Sequence, residues 1–231
     1  VEGINLKAMK GQTIGVIGGT GSGKSSLVNL IPRLYDATQG EVLVDGVNVK
    51  DYDIEALRNK VGIVMQKAVL FKGTIRENMW MGKKGATDEQ IDEALEISQS
   101  KEFVDSKQGR LDYVIEQGGK NLSGGQRQRL TIARAIVRKP DVLILDDSAS
   151  ALDFATDAAL RKAIRGMNNS PTVFIVSQRA ASLMYADLII VLDDGQVAGM
   201  GTHDELLANC EVYKEIYESQ FKKADSEGGV A

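Results

Sequence analysis

Eight consecutive residues, Gly18-Gly19-Thr20-Gly21-Ser22-Gly23-Lys24-Ser25, have the types and order needed to hold a chain of phosphates. Glycines let successive backbone N–H groups curl round a phosphate with no Cβ in the way. Lys24 would bring a mobile charge to the β and γ phosphates, and Ser25 a hydroxyl to Mg2+. The segment Ser25–Leu34 reads as a helix, with Ser26 in its first turn. Its N-terminus adds the positive end of a dipole. A dinucleotide fingerprint fits less well, because Gly21-x-Gly23-x-x-Ser26 lacks the third glycine.

A second cluster lies far downstream, where the apolar run Val142–Leu145 ends in Asp146-Asp147. Phosphoryl transfer needs a carboxylate near Mg2+ and a group that orients the attacking water. Asp146 fits the first role, and Asp147 stands where the second would sit. Acids often end strands merely as solvated turn residues, so this pair gains its meaning from the phosphate loop upstream.

Positioning these groups calls for alternating strands and helices, an α/β fold with a parallel sheet. Strands are expected at Val1–Leu6, Gln12–Ile17, Val61–Met65, Val142–Leu145, Thr172–Val176 and Leu188–Leu192. Glu41–Val44 and Val47–Lys50 flank Asp45-Gly46, a hairpin turn signal and the basis for a small antiparallel β subdomain. Thr74–Glu116 is polar and helical in period. Thr87-Asp88-Glu89-Gln90 reads as a capping box, with Ile91, Ala94, Leu95 and Ser98 on one face after it. An inserted helical subdomain over about residues 72–138 is the expectation. Thr202-x-x-Glu205 caps a further helix, and the tail after Phe221, residues 222–231, is expected to fray.

The composition excludes several classes. The chain has 231 residues, 43% hydrophobic and 26% charged, enough for a sizeable core. A net charge of -4 and a pI near 5.2 argue against a nucleic-acid binder with a broad basic face. A single cysteine, Cys210, permits no internal disulfide, and the reducing cytosol is the default compartment. Cys210 itself is expected to pack a helix. No apolar run approaches the length of a membrane span, and no signal peptide is expected. Without a starting Met, and with an opening that reads as a strand, the chain is expected to be a fragment of something longer.

Leu122-Ser123-Gly124-Gly125-Gln126 carries the family resemblance. By itself Ser123-x-x-Gln126 is a capping box opening a helix over Arg127–Val137. With the two motifs above, in this order, it resembles the signature of ATP-binding-cassette (ABC) proteins, over nearly the whole chain. Gln66 resembles the family's Q-loop glutamine, which touches Mg2+ and the lytic water. Ser150-Ala151-Leu152-Asp153 resembles the D-loop, and Gly201–Leu206 a C-terminal family segment. The resemblance implies a P-loop NTPase (RecA-like) core, and a nucleotide-binding domain over residues 1–221 that binds ATP and Mg2+. Gly18 to Ser26 and Gln66 would touch nucleotide, and Ser25, Gln66 and Asp146 the metal. Two such domains would pair head to tail, with Ser123, Gly124, Gly125 and Gln126 of one acting in trans on ATP held by the other. The whole would work at the cytoplasmic face of a membrane.

Val69–Asn78 and Ile115–Asn121 resemble exporter-type members, and exposed Leu70 and Phe71 would then receive a coupling helix of a transmembrane domain. The chain also departs from the family. The nucleotide-stacking aromatic is expected to lie upstream of the strand matching Val1–Leu6. Asp147 stands where the family has Glu, a methylene shorter. Gln178, after Ser177, stands where it has a switch histidine, and cannot carry a positive charge. The lone His203 matches a different segment and is expected to be structural or exposed. Asp147 and Gln178 together resemble the degenerate half of a heterodimeric exporter, whose partner chain has the complete site. The alternatives are a homodimeric transport ATPase and a soluble ABC ATPase acting as an ATP-dependent clamp. The long coiled coil of DNA-repair relatives has no counterpart, since no heptads are sustained between Lys24 and Ser123.

Overall fold

The computed structural model describes residues 1–148 and 151–227. In chain order the strands are β1 (Thr13–Gly18), β2 (Leu43–Val44), β3 (Val47–Asn48), β4 (Val61–Val64), β5 (Gly73–Thr74), β6 (Val114–Ile115), β7 (Val142–Asp146), β8 (Thr172–Val176), β9 (Leu188–Asp193) and β10 (Gln196–Gly201). The α-helices are α1 (Lys24–Asn29), α2 (Ile54–Lys60), α3 (Ile75–Trp80), α4 (Asp88–Ile97), α5 (Lys101–Asp105), α6 (Gly124–Ile136), α7 (Phe154–Arg165), α8 (His203–Asn209) and α9 (Glu211–Glu227). They fall into two compact units, Val1–Leu57 with Thr172–Ala231, and Arg58–Pro171. Among the described residues no helix is long and apolar enough to cross a membrane.

The first unit is built on the strand order β10-β9-β1-β8. β1 is parallel to both neighbours, while β10 runs antiparallel to β9 with a register shift between Val197 and Gly199. Every residue of β1 is buried, which is why Thr13–Gly18 reads as a continuous apolar run rather than an alternating one. Gly15 admits the neighbouring layer, since a Cβ there would lie 3.2 Å from the Leu183 side chain. The β2–β3 hairpin turns on Asp45 and Gly46, both at positive φ (52° and 78°), as a type I′ turn requires. Cys210 packs as expected: it is buried between α8 and α9, and a Cβ on Gly199 would stand 2.8 Å from its Sγ.

The second unit holds the parallel pair β4–β7 and most of the helices. Helix α6 buries Leu130, Ile132, Ala133, Ala135 and Ile136, and each large apolar side chain so buried contributes about 1.5–3 kcal/mol. Close approach is bought with glycine at two places. A Cβ on Gly62 of β4 would sit 3.0 Å from the Ala135 carbonyl oxygen, and one on Gly82 only 2.0 Å from that of Arg134. Arg138 ties the same region down, donating to the carbonyls of Gly82 (2.7 and 2.9 Å) and Arg58 (2.6 Å). Ile91, Ala94, Leu95 and Ser98 form the buried face of α4, capped by Thr87 and Gln90 as the sequence predicts.

Three local expectations are corrected. Val1–Leu6 is not a strand: Gly3 at φ 70° bends the chain, leaving one bridge between Glu2 and Gln196. The helix expected to reach Leu34 ends at Asn29, because Pro32 brings no N–H and Arg33 is left-handed (φ 52°). The helical stretch 74–116 is closed by a short ladder, Gly73 with Ile115 and Thr74 with Val114, that its composition concealed. Helix α9 runs on past Phe221 as far as Glu227.

Candidate functional site

The phosphate loop follows β1 without a break. Gly21 and Gly23 take left-handed backbone (φ 83° and 94°), and Gly23 is the residue from which α1 starts. A Cβ on Gly18 would lie 2.1 Å from the Leu192 carbonyl oxygen, so glycine is the only residue that lets the loop leave the sheet here. Gly19 and Gly21 have open space where a Cβ would go, a surface of bare backbone that an anion can approach. Lys24 is buried, and its ammonium donates to the carbonyls of Gly18 (2.9 Å) and Gly19 (2.5 Å) and to Ser22 Oγ (3.4 Å). Its charge is thus held inside the loop, where incoming phosphate oxygens can replace those carbonyls. Thr20, Ser25 and Ser26 are exposed on the loop and first helical turn.

Gln178 belongs to the same unit. β1 and β8 are parallel with Val16 opposite Val176, and the Ser177 N–H donates to the Val16 carbonyl (3.1 Å). The chain therefore leaves β8 beside the point where β1 enters the phosphate loop. Ligands of parallel α/β sheets bind at this carboxyl edge. The Gln178 side chain is exposed. Ser177 is buried, and its hydroxyl accepts from the Arg179 N–H (2.9 Å). One residue that the sequence did not single out also reaches this loop. Gln220 of α9 accepts from the Ala180 N–H (2.9 Å) and donates to the Gln178 carbonyl (2.7 Å). Its partners lie some forty positions away, and no local pattern marks it.

In the second unit, β4 and β7 are parallel with Val64 opposite Leu145. Gln66 and Asp147 follow those two residues by the same interval and meet: Gln66 Nε2 donates to Asp147 Oδ2 at 3.1 Å. Asp147 is left-handed (φ 45°), a conformation Asp tolerates better than longer side chains do. Asp146, the last residue of β7, is only 6% exposed. A carboxylate is a hard oxygen donor suited to Mg2+, and Gln66 keeps an amide oxygen of the same character. These donors fit a magnesium ion chemically.

The signature residues occupy the start of α6. Ser123 is its N-cap, with the Gln126 N–H on Ser123 Oγ (3.2 Å) and the Ser123 N–H on Gln126 Oε1 (3.1 Å). Ser123 and Gly124 are exposed, and a Cβ on Gly125 would lie 3.4 Å from the Ala151 carbonyl oxygen. The expected D-loop thus runs close to the signature, although Ser150 lies outside the described residues. Asp153 caps α7, and hydrogen bonds from the Thr156 backbone and hydroxyl hold its carboxyl below the usual range.

The exporter-like segment needs one correction. Phe71 is 46% exposed, as expected, but Leu70 is 1% exposed and packs inward. The segment is extended, so neighbouring side chains alternate: Val69 and Phe71 face out and Leu70 faces the core. Arg134 lies over the Phe71 ring (5.9 Å) and donates to the Val69 carbonyl (2.9 Å). Asn78 clasps the Phe71 backbone with two bonds of 3.0 Å. His203 is structural: its Nδ1 is 2.8 Å from the Tyr213 hydroxyl, and its ring packs against Tyr213 and Tyr217.

Comparison with known proteins places the chain in a family. Residues 1–150 match the ABC transporter family. An uncharacterized ABC transporter ATP-binding protein of Bacillus subtilis is 44% identical over 98% of this chain and 39% of its own length. A putative multidrug export ATP-binding/permease protein of Staphylococcus aureus is 40% identical over 95% of this chain and 38% of its own. Among solved structures, a bacterial Atm1-family ABC exporter with ATP bound superposes with a TM-score of 0.90 at 32% identity, over 95% of this chain and 39% of that one. The chain thus spans about two fifths of the length of the relatives it matches. On this match and on the motifs seated at the strand ends, the chain belongs to the ABC transporter family, as a nucleotide-binding domain resembling those of its exporters.

Proposed function

We propose that this domain binds Mg-ATP and hydrolyses it slowly, as the degenerate-site half of a heterodimeric ABC exporter at the cytoplasmic face of a membrane. The observation that carries the reading is the pairing of Gln66 with Asp147 at the end of β4 and β7. Gly18 to Ser26 wrap the phosphates, with Lys24 exchanging its loop carbonyls for phosphate oxygens. By the family resemblance Ser25, Gln66 and Asp146 would supply oxygen donors to Mg2+, which when bound would neutralise phosphate charge. Asp147 polarises the attacking water, but from a side chain a methylene shorter than Glu. A shortfall near 1 Å can cost about a hundredfold in rate. Gln178 can hydrogen-bond a γ-phosphate without adding charge.

Ser123, Gly124, Gly125 and Gln126 act in trans on nucleotide held by a second, non-identical nucleotide-binding domain with a complete site. The exposed N-terminus of α6 suits that role. Exposed Phe71 receives the coupling helix of a transmembrane domain, with Leu70 supporting it from beneath.

The test is the steady-state ATPase rate of the full-length protein, wild type against Asp147→Glu combined with Gln178→His. The expected result is a slow wild type and a rise of at least about tenfold in the double variant. A wild type already turning over at ordinary enzyme rates, about 1–100 per second, would overturn the degenerate-half reading in favour of a homodimeric transport ATPase.

A further inference from the structure

The loop after β8 is tied down through its backbone, while the Gln178 side chain is exposed. Ser177 is fixed to β1 through the Val16 carbonyl, and its hydroxyl takes the Arg179 N–H. Gln220 engages two further peptide groups, the Gln178 carbonyl at 2.7 Å and the Ala180 N–H at 2.9 Å. A primary amide is the one neutral side-chain group that can donate and accept in this paired manner.

Helix α9 delivers Gln220 from a fixed base. Tyr213, Tyr217 and Gln220 fall at i, i+4 and i+7, on one face of the helix. Tyr213 is fully buried with its hydroxyl on His203, and Tyr217 stacks on Phe221 with ring centroids 4.3 Å apart. The far end of the clasp is equally firm, since Ala180 is completely buried. Side-chain placement at a reacting centre depends on such backing, because small displacements are costly.

We infer that Gln220 is a positioning residue for Gln178: through its two hydrogen bonds, α9 sets the backbone from which Gln178 reaches the γ-phosphate of ATP. This rests on the reading of Gln178 given above. The clasp bonds Gln178 and Ala180 rather than the phosphate loop, so a small effect on ATP affinity is expected. Its main effect falls on turnover.

The experiment measures kcat, KM for ATP and thermal stability on the full-length protein in lipid vesicles. The variants are Gln220→Met, Gln220→Glu, Gln178→Ala and the double variant Gln178→Ala with Gln220→Met. Methionine keeps the length of the side chain and removes both bonds, while glutamate keeps the acceptor for Ala180 and loses the donor to Gln178. Gln220→Met is expected to lower kcat by about tenfold, with KM within about twofold and the melting temperature near wild type. Gln220→Glu falls between, and Gln220→Met has no further effect once Gln178 is alanine. If Gln178→Ala slows turnover and Gln220→Met does not, the clasp proposal is overturned and the role of Gln178 stands. An equal loss from Gln220→Met with or without Gln178 also overturns it. If Gln178→Ala itself leaves turnover unchanged, both readings fall.

Discussion

Strands β1 and β8 are matched Val16 to Val176, and β4 and β7 Val64 to Leu145, so each unit contains a parallel pair whose carboxyl ends carry candidate site residues two positions beyond the match. The chemistry at the two ends is opposite. After β1 and β8 come glycines, one buried ammonium and a neutral glutamine, all suited to an anion. At the ends of β4 and β7 stand two carboxylates and a glutamine, suited to a cation and to water. The ends are also held differently. The first depends on backbone that only glycine can follow, at Gly18 and Gly23, together with the Gln220 clasp. The second is joined by a direct side-chain bond from Gln66 to Asp147. One geometry is thus used twice, with the sign of the ligand reversed.

The contrast can be broken most forcefully at Lys24. Lys24→Ala should weaken ATP binding by about a hundredfold in a titration, the loss of two charge-assisted hydrogen bonds, while leaving the fold intact. The difference in backbone dependence comes next. Gly18→Ala should lower stability by about 2–3 kcal/mol, against about 1–2 for Gly62→Ala, because its Cβ would meet a carbonyl at 2.1 Å rather than 3.0 Å. Thermal unfolding of both variants in parallel checks the order. Equal losses would mean that the Gly18 turn relaxes as easily as the β4–α6 contact.

The smallest effect concerns acid. In the second unit the bond from Arg76 lowers the carboxyl of Asp88, and bonds from Lys101 and Arg110 lower that of Asp105. Folded values below unfolded ones give stabilisation that is complete above the ordinary carboxylate range and lost as pH falls through it, below about pH 4. Both acids are solvent-exposed, so the effect is slight. Comparing melting at pH 7 and pH 3, with and without Arg76→Ala, should show the variant losing less on acidification than the wild type.

The motifs that were legible in the sequence are the contiguous ones. A phosphate loop must be read by one unbroken stretch of backbone, so Gly18 to Ser25 declare themselves. The Ser123–Gln126 cap is local for the same reason. Pairing across strands is not local. The contact of Gln66 with Asp147 depends on parallel register, and that of Gln220 with Gln178 on where a distant helix lands. Leu70 shows a subtler limit. Val69-Leu70-Phe71 offers three apolar residues in a row, and composition cannot fix the phase of an extended segment. Only the clasp of Asn78 on Phe71 and the seat of Arg134 beneath it decide which side faces out. Gly3 and Pro32 with Arg33 bent the chain where hydrophobic spacing alone suggested continuation.

The two-residue ladder joining Gly73–Thr74 to Val114–Ile115 gives the intervening helices a common doorway. Chain enters and leaves at one point, so what lies between is a closed loop with pinned ends. For such a loop the entropic cost grows only with the logarithm of its length, about 0.6 kcal/mol per doubling. Exposed turns inside it can therefore lengthen at little cost, whereas the buried face of α4 (Ile91, Ala94, Leu95) cannot be removed without loss of packing. Short as it is, the ladder fixes the point at which this part of the chain begins and ends.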